Sequence, residues 1–134
     1  MKELTVEAKT ENIDIVTELV ESQLTELDCS MRSLVQISVA IDELFGNIAH
    51  YAYKPGTGDV TVRIDVEEPR TAVITFIDGG KPYNPLEAEE PDVTLSAEER
   101  KVGGLGIFLV KKTMDDMRYE YRDGKNVLQI KKKI

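Results

Sequence analysis

Glu43 and Asn47 lie four residues apart in a stretch of the chain that has the pattern of a helix. Side chains at this spacing are neighbours on a helix, with Cβ atoms about 5–6 Å apart. A lone Glu-x-x-x-Asn pattern is more often a polar edge that faces water than a site. If it is a site, the amide oxygen of Asn47 suits Mg²⁺, and the carboxylate of Glu43 could take a proton from a hydroxyl or a water. The pair therefore needs support from elsewhere in the chain.

Two glycine-containing motifs could supply that support. Asp78 is followed by Gly79 and Gly80 at the end of an apolar run, so its carboxylate could accept a hydrogen bond from an exocyclic amine while the bare backbone lets a flat ring approach. The stretch 103–106, Gly-Gly-Leu-Gly, opens a helical pattern. The first N–H groups of a helix lack internal partners and favour anions such as phosphate. Taken singly, the first motif is a common Asp-Gly turn and the second a flexible joint.

The composition limits what these motifs could serve. The chain has 134 residues, 41 % hydrophobic and 31 % charged, which predicts one globular domain over residues 1–134. Its formal net charge of −8 argues against nucleic acid as a partner. No apolar run approaches the ~20 residues of a membrane span, and the N-terminus lacks a secretory signal. A single cysteine and a single histidine cannot form a zinc site of the usual spacing. We expect a cytoplasmic protein.

The periodicity of the apolar residues predicts the elements that position the motifs. Glu43 and Asn47 fall on the longest helix, whose apolar face is Ile41, Leu44, Phe45, Ile48 and Ala52. In chain order we predict a strand over 3–9, helices over 13–27 and 31–53, a hairpin over 60–77, a lid over 81–102, a helix from 103 and a closing hairpin over 119–130. The third helix is expected to bury Ile107, Phe108, Val110, Met114 and Met117. Strands joined as hairpins with helices on one face predict an α+β fold, a two-layer sandwich.

The three motifs in this order resemble those of a known family. The stretch 43–47, Glu-Leu-Phe-Gly-Asn, resembles its helical Asn motif, and 78–82, Asp-Gly-Gly-Lys-Pro, its first glycine box. The stretch 103–110 resembles the second glycine box. The chain is identified by this resemblance as a Bergerat-fold (GHKL) ATP-binding domain, similar over its whole length to the bacterial anti-sigma-factor serine/threonine kinases. The resemblance implies a mixed, mostly antiparallel sheet covered on one face by three helices, with an ATP lid.

The resemblance also implies a role for each matching residue. Glu43 would be the general base, and Asn47 would hold Mg²⁺. Asp78 would bind the adenine amine, Gly80 would leave room for the ring, and Pro82 completes that box. The backbone of Gly103, Gly104, Leu105 and Gly106 would cradle the phosphates of ATP. The cofactors implied are ATP and Mg²⁺.

Two departures from the family pattern concern basic and histidine residues. Family members often have a histidine eight residues after the glutamate, where this chain has Tyr51, and His50 is displaced by one position. We therefore assign no role to His50 or Tyr51. The family tends to place an arginine just before the second glycine box, and here the nearest basic residues are Arg100 and Lys101. Either could reach a γ-phosphate, and we include Lys101 in the nucleotide site.

Two functions from different classes fit this pattern. The resemblance implies a protein kinase that transfers the γ-phosphate of ATP to a serine or threonine of a STAS-domain anti-anti-sigma factor. Such a kinase regulates a sigma factor by partner switching, and the family also suggests a homodimer. The alternative is an ATP-dependent protein-binding switch with little or no turnover. Glu43 favours the kinase, because nucleotide binding alone does not require a base. The sequence does not identify the sigma factor or the antagonist.

Overall fold

The computed structural model describes residues 1–87 and 104–134, with the side chains of Gly104 and Leu105 left aside. It is an α+β fold, as the sequence predicts. The strands are β1 Lys2–Glu7, β2 Asp59–Glu67, β3 Thr71–Asp78, β4 Asp116–Arg122 and β5 Lys125–Lys133. The helices are α1 Ile13–Glu26, α2 Met31–Asn47 and α3 Gly104–Thr113. No helix among the described residues is long and apolar enough to cross a membrane.

Among the described residues, the strands form one sheet in the order β1-β2-β3-β5-β4 with every pairing antiparallel, so the sheet is not mixed as the resemblance implied. The centre of the sheet is β3, which pairs with β2 on one side and β5 on the other. This register places Asp78, the last residue of β3, directly opposite Asn126 near the start of β5. Two polar side chains therefore meet at one end of the core-facing side of the sheet, in phase with the buried Phe76 and Leu128.

Alternation along the strands gives one face of the sheet to the core. Val60, Val62 and Ile64 of β2 are buried, as are Ala72, Ile74 and Phe76 of β3 and Leu128 and Ile130 of β5. The three helices bury their apolar residues in the same cluster: Val16, Val20 and Leu24 from α1, Ile37, Ala40, Ile41, Leu44 and Phe45 from α2, and Ile107 and Val110 from α3. Burial of one apolar face fixes how α2 is rotated about its own axis, and hence where its polar edge points.

The N-terminus of α2 lies where the sequence predicts it, but its C-terminus does not. Ser30 caps the helix, because its Oγ accepts a hydrogen bond from the backbone N of Ser33 at 3.2 Å. The prediction of one helix over 31–53 is wrong at the C-terminal end. The α-helix stops at Asn47 and continues as one wider π turn over Ile48–Ala52. The carbonyl of Ala52 then accepts a hydrogen bond from the backbone N of Lys81 at 2.9 Å, which joins this turn to the segment after β3.

In the C-terminal half, the end of α3 differs from the prediction and the closing turn agrees with it. The α3 helix ends at Thr113, so neither Met114 nor Met117 belongs to its apolar face as expected: Met114 is buried just after the helix, and Met117 lies on β4. The change occurs because the backbone N of Asp115 donates to the carbonyl of Lys131 at 2.9 Å and so begins the pairing of β4 with β5. The closing turn is confirmed: Asp123 and Gly124 have φ values of 54° and 76°, as a two-residue Asp-Gly hairpin requires.

Candidate functional site

A cavity of about 250 Å³ opens where the C-terminal end of α2, the π turn and the end of β3 meet. Asn47 contributes from α2, Asp78 from β3, and Tyr119 and Asn126 from the closing hairpin. Pro82 lies in its wall as well. The cavity therefore brings together three residues that the sequence analysis assigned to nucleotide binding, namely Asn47, Asp78 and Pro82.

Asp78 is buried in this cavity, with 5 % of its surface exposed. Its Oδ1 accepts hydrogen bonds from the backbone N of Gly80 at 2.9 Å and from Nδ2 of Asn126 at 3.0 Å. Among the described residues, no donor reaches the other carboxylate oxygen, Oδ2, although Asp78 lines the cavity. A buried carboxylate oxygen with free acceptor capacity suits a ligand that presents a donor, such as an amino group.

The turn after Asp78 is held from the side of the π turn. The hydroxyl of Tyr53 accepts from the backbone N of Gly79 at 2.7 Å and donates to the carbonyl of Asp59 at 2.5 Å. A Cβ at Gly80 would lie 2.4 Å from the carbonyl oxygen of Ala52. The space beside Gly80 is thus filled by the π turn rather than left for a ring. Glycine at 80 is explained by this close backbone approach.

Glu43 and Asn47 face each other on α2 as their spacing predicts. Nδ2 of Asn47 donates to Oε1 of Glu43 at 3.5 Å, a long hydrogen bond. Burial raises the pKa of the Glu43 carboxyl, and this hydrogen bond partly offsets the rise. A carboxylate with a raised pKa is a stronger base, which is the property a proton acceptor needs near neutral pH.

The start of α3 lies against Glu43. A Cβ at Gly106 would be 2.1 Å from Oε2 and 2.2 Å from Cδ of Glu43. Glycine at this position therefore allows α3 to approach α2 until its first turn borders the Glu43 carboxylate. The first turn of α3 at Gly106 is thus next to Glu43, and the first N–H groups of a helix favour anions.

The residues present fit Mg²⁺ and a nucleotide on their chemistry. The amide nitrogen of Asn47 donates to Glu43. In the part of the chain that the structure describes, no donor reaches the amide oxygen of Asn47. That oxygen is the kind of hard ligand that Mg²⁺ takes, together with waters and phosphate oxygens. The open Oδ2 of Asp78 supplies an acceptor for a base, and the cavity lies between these two groups.

Other sequence-predicted residues are not part of this described cavity. Lys101 and Gly103 lie outside the described residues, as do Arg100 and the greater part of the proposed lid. Gly104 and Leu105 belong to the first turn of α3. His50 is exposed on the π turn, with its ring centroid 6.0 Å from that of Tyr51, which lines the cavity and is 55 % exposed.

Sequence reasoning missed Asn126 and Tyr119. Asn126 is buried, with 6 % of its surface exposed, and alternates along β5 with the buried Leu128 and Ile130. A polar residue in register with two core residues was the signal that could have found it. Tyr119 gave no comparable signal, because it stands among polar residues of an edge strand.

With this geometry in place, the chain can be compared with known proteins. A family model described as the histidine kinase-like ATPase domain matches residues 6–132, so the chain belongs to that family of ATP-binding domains. The family resemblance drawn from the three motifs is thereby confirmed.

Among its curated relatives, the serine-protein kinase RsbW of Bacillus cereus is 25 % identical over 132 residues, which are 96 % of this chain and 82 % of RsbW. The serine/threonine-protein kinase BtrW of Bordetella bronchiseptica is 29 % identical over 102 residues, which are 75 % of this chain and 71 % of BtrW. The match to the family model shows the family, and these two kinases are relatives of this chain.

A solved structure shares the fold. The crystal structure of the RsbU and RsbW domains of Rv1364c from Mycobacterium tuberculosis aligns with a TM-score of 0.65 at 14 % identity. The alignment covers 99 % of this chain and 32 % of that longer chain, so this chain spans about one third of it. At this identity the likeness concerns the fold, and it confirms the α+β sandwich.

The raised pKa of Glu43 gives a stability prediction with a defined sign. Because burial disfavours the charged form, its contribution to stability is fully present below the ordinary glutamate pKa and is lost as the pH rises through the raised value. Glu43→Gln should therefore raise the free energy of unfolding near neutral pH relative to the parent. The gain should shrink as the pH falls through the raised pKa and should be gone below about pH 4. Urea unfolding over this pH range measures it. Asp42→Asn, an exposed neighbour, controls for the loss of one negative charge. A gain that is independent of pH would contradict the prediction.

Gly106 and Gly46 form a matched pair of helical glycines. A Cβ at Gly46 meets nothing within 4 Å, so Gly46→Ala should raise the free energy of unfolding by about 0.5–1 kcal/mol. Gly106→Ala places a Cβ where the Glu43 carboxylate lies and should displace that flexible side chain, with little or no gain in stability. NMR titration of the Glu43 carboxyl resolves the displacement as a changed pKa. An unchanged Glu43 titration in Gly106→Ala would show that α3 does not border this carboxylate.

Proposed function

We propose that this chain binds Mg-ATP in the cavity at the end of α2 and transfers the γ-phosphate to a serine or threonine of a STAS-domain anti-anti-sigma factor. Residues 1–134 would form one such kinase domain, acting in the cytoplasm and regulating a sigma factor by partner switching. Support comes from the family match and from relatives named as serine or serine/threonine kinases. A homodimer, which the family resemblance suggests, is part of the same proposal.

The observation that carries the proposal is the pairing of two half-sites around one cavity. At one end, Asp78 presents an acceptor oxygen with no donor among the described residues. At the other end, Asn47 presents an amide oxygen beside Glu43, and the first turn of α3 closes on that pair at Gly106. A nucleotide has a donor-bearing base at one end and anionic phosphates at the other, and this arrangement matches both ends.

Each residue then has a distinct task. Asp78 accepts the base amine, and Gly80 and Pro82 shape the turn that borders the base. Asn47 is the residue that would hold Mg²⁺, which when bound neutralises charge on the phosphates. The backbone of Gly103, Gly104, Leu105 and Gly106 donates to the phosphates, with Lys101 as an additional cation. These assignments of Lys101 and Gly103 rest on the sequence alone.

Glu43 supports the choice of a kinase over a binding module. In transfer, the hydroxyl of the acceptor residue attacks the γ-phosphorus, the bond to the β–γ bridging oxygen breaks, and ADP leaves. The carboxylate of Glu43 accepts the hydroxyl proton as the new O–P bond forms. Its pKa, raised by burial, matches this task. In the alternative function, an ATP-dependent binding switch, Glu43 would have no proton to accept.

The adenine assignment predicts a loss of affinity on removing one charge. Asp78→Asn keeps the size of the side chain but turns a charge-assisted hydrogen bond into a neutral one, and we expect ATP affinity to fall by about 1.5–3 kcal/mol. Titration calorimetry measures it directly. The matched control is Asp65→Asn on β2, an exposed carboxylate outside the cavity, which should leave the affinity unchanged. ATP affinity equal to the parent's in Asp78→Asn would remove the adenine assignment.

The kinase assignment predicts that binding and transfer separate at Glu43. Glu43→Ala should retain ATP binding and lose phosphate transfer, because the cavity does not depend on this carboxylate but the proton acceptor is gone. The assay is incubation of the parent and variant with Mg-ATP and a STAS-domain protein of the same organism, followed by mass spectrometry for phosphoserine and phosphothreonine. Asp42→Ala, the exposed carboxylate next in the chain, should transfer at the parent rate. Phosphate transfer by Glu43→Ala at the parent rate would refute the role of Glu43 as general base. If the parent binds ATP but transfers no phosphate, the ATP-dependent binding switch is favoured instead.

A further inference from the structure

Every polar atom of the Asn126 side chain is engaged beneath the cavity. Its Nδ2 donates to Oδ1 of Asp78 at 3.0 Å and to the carbonyl of Lys81 at 2.9 Å. Its Oδ1 accepts from the backbone N of Tyr83 at 3.1 Å and from the hydroxyl of Tyr119. Asp78 and Asn126 are the buried polar residues of the described part of the chain, and they are bonded to each other.

The orientation of the Asn126 amide follows from backbone groups that cannot exchange roles. The backbone N–H of Tyr83 can only donate, so the amide oxygen must face it. The carbonyl of Lys81 can only accept, so the amide nitrogen must face it. With the nitrogen fixed on that side, the amide donates to Asp78. The Tyr119 hydroxyl adds a second donor to the amide oxygen, and burial raises the pKa of this hydroxyl so that it keeps its proton.

We propose that Asn126, held by Tyr119, is a positioning residue that fixes the Asp78 carboxylate with Oδ2 toward the nucleotide base and so sets the preference of the site for a base with an amino group. The inference deepens the proposed function and rests on it, because it requires a nucleotide at Asp78. Asn126 itself has no free donor or acceptor for the base, so it acts through Asp78.

The chemistry behind this preference is a one-way hydrogen bond. An ionised carboxylate only accepts, so Oδ2 pairs with an exocyclic amine and opposes a carbonyl oxygen at the same place. The discrimination depends on the carboxylate staying in place, since a carboxylate free to rotate could move away from the opposing oxygen. Oδ1 of Asp78 accepts from the backbone N–H of Gly80 and from the side chain of Asn126. Asn126 therefore provides the side-chain contact that holds the carboxylate in place.

The sharpest test uses ATP and inosine triphosphate, which carry an amine and a carbonyl, respectively, at position 6 of the base, with N1 bearing a proton only in the inosine base. We expect the parent to prefer ATP by about tenfold or more, the effect of one charge-assisted hydrogen bond. Asn126→Asp keeps the size and the acceptor toward Tyr83 but places a second carboxylate against Oδ1 of Asp78 and the Lys81 carbonyl. Two carboxylates at hydrogen-bond distance share one proton.

This variant should therefore show a pH step in its base preference. At low pH the introduced carboxyl holds a proton, donates to Asp78 as the amide did, and preserves the preference for ATP. As the pH rises and the proton leaves, repulsion displaces Asp78, and the preference falls toward equal binding. The titratable groups near this pair are Tyr119 on β4, Lys81, Tyr83 and Glu87 after β3, Tyr51 on the π turn and Tyr53 just after it. They are present in the parent too, so the step is read as the difference between variant and parent.

Two further variants separate positioning from a purely structural role. Tyr119→Phe removes one donor to the Asn126 amide and should reduce the ATP preference a few-fold without the pH step, which keeps the proposal testable if Asn126→Asp does not fold. Gln129→Ala is the matched control. Gln129 lies on β5 like Asn126 but outside the cavity, and the variant removes its amide hydrogen bond to Thr75 of β3, so the preference should stay unchanged.

A double-mutant cycle that combines Tyr119→Phe with Asp78→Asn completes the test. If Asn126 acts through Asp78, then Tyr119→Phe should have no further effect on base preference in the Asp78→Asn background. Additive effects, or an unchanged ATP preference in both Asn126→Asp and Tyr119→Phe, would overturn the inference while the proposed function stood. A parent that binds neither nucleotide would refute the proposed function, and the inference would fall with it.

Discussion

The hydrogen bond between Asp78 and Asn126 is the constraint around which the cavity is built. It joins β3 to β5 at the point where the sheet register places these two residues opposite each other. Each of these two polar groups would destabilise the fold if it were buried at the end of the apolar core without a partner. Paired, they also organise the segment after β3, because Asn126 bonds the backbone of Lys81 and Tyr83. The shape of the cavity floor follows from the sheet itself.

The opposite side of the cavity depends on helix packing. Burial of Ile41, Leu44 and Phe45 turns α2 so that Glu43 and Asn47 face α3 and the cavity. Gly106 then lets α3 come close to the Glu43 carboxylate. The two sides are tied together by the π turn, whose last carbonyl, at Ala52, accepts from Lys81. A single short turn thus sets the distance between the helix that holds one half of the site and the strand that holds the other.

The sequence predicted the α+β class, the order of elements and the pairing of Glu43 with Asn47, because each follows from local periodicity. It did not predict the π turn, since the hydrogen bond that the Ala52 carbonyl makes there comes from Lys81, in a segment far along the chain. Asn126 was missed although its place among Leu128 and Ile130 marked it, and Tyr119 could not be found because its partner lies across a hairpin. The reason for Gly80 also needed the structure, since the neighbour that excludes a side chain is Ala52.

The most direct measurement of the central claim is a crystal structure of this chain with Mg²⁺ and a non-hydrolysable ATP analogue. We expect the base amine within hydrogen-bond distance of Oδ2 of Asp78, with Asn126 still bonded to Oδ1. We also expect the amide oxygen of Asn47 on the metal and the Glu43 carboxylate free on the side of the γ-phosphate. A nucleotide bound elsewhere, or a base in the cavity that leaves Asp78 without a contact, would contradict this claim.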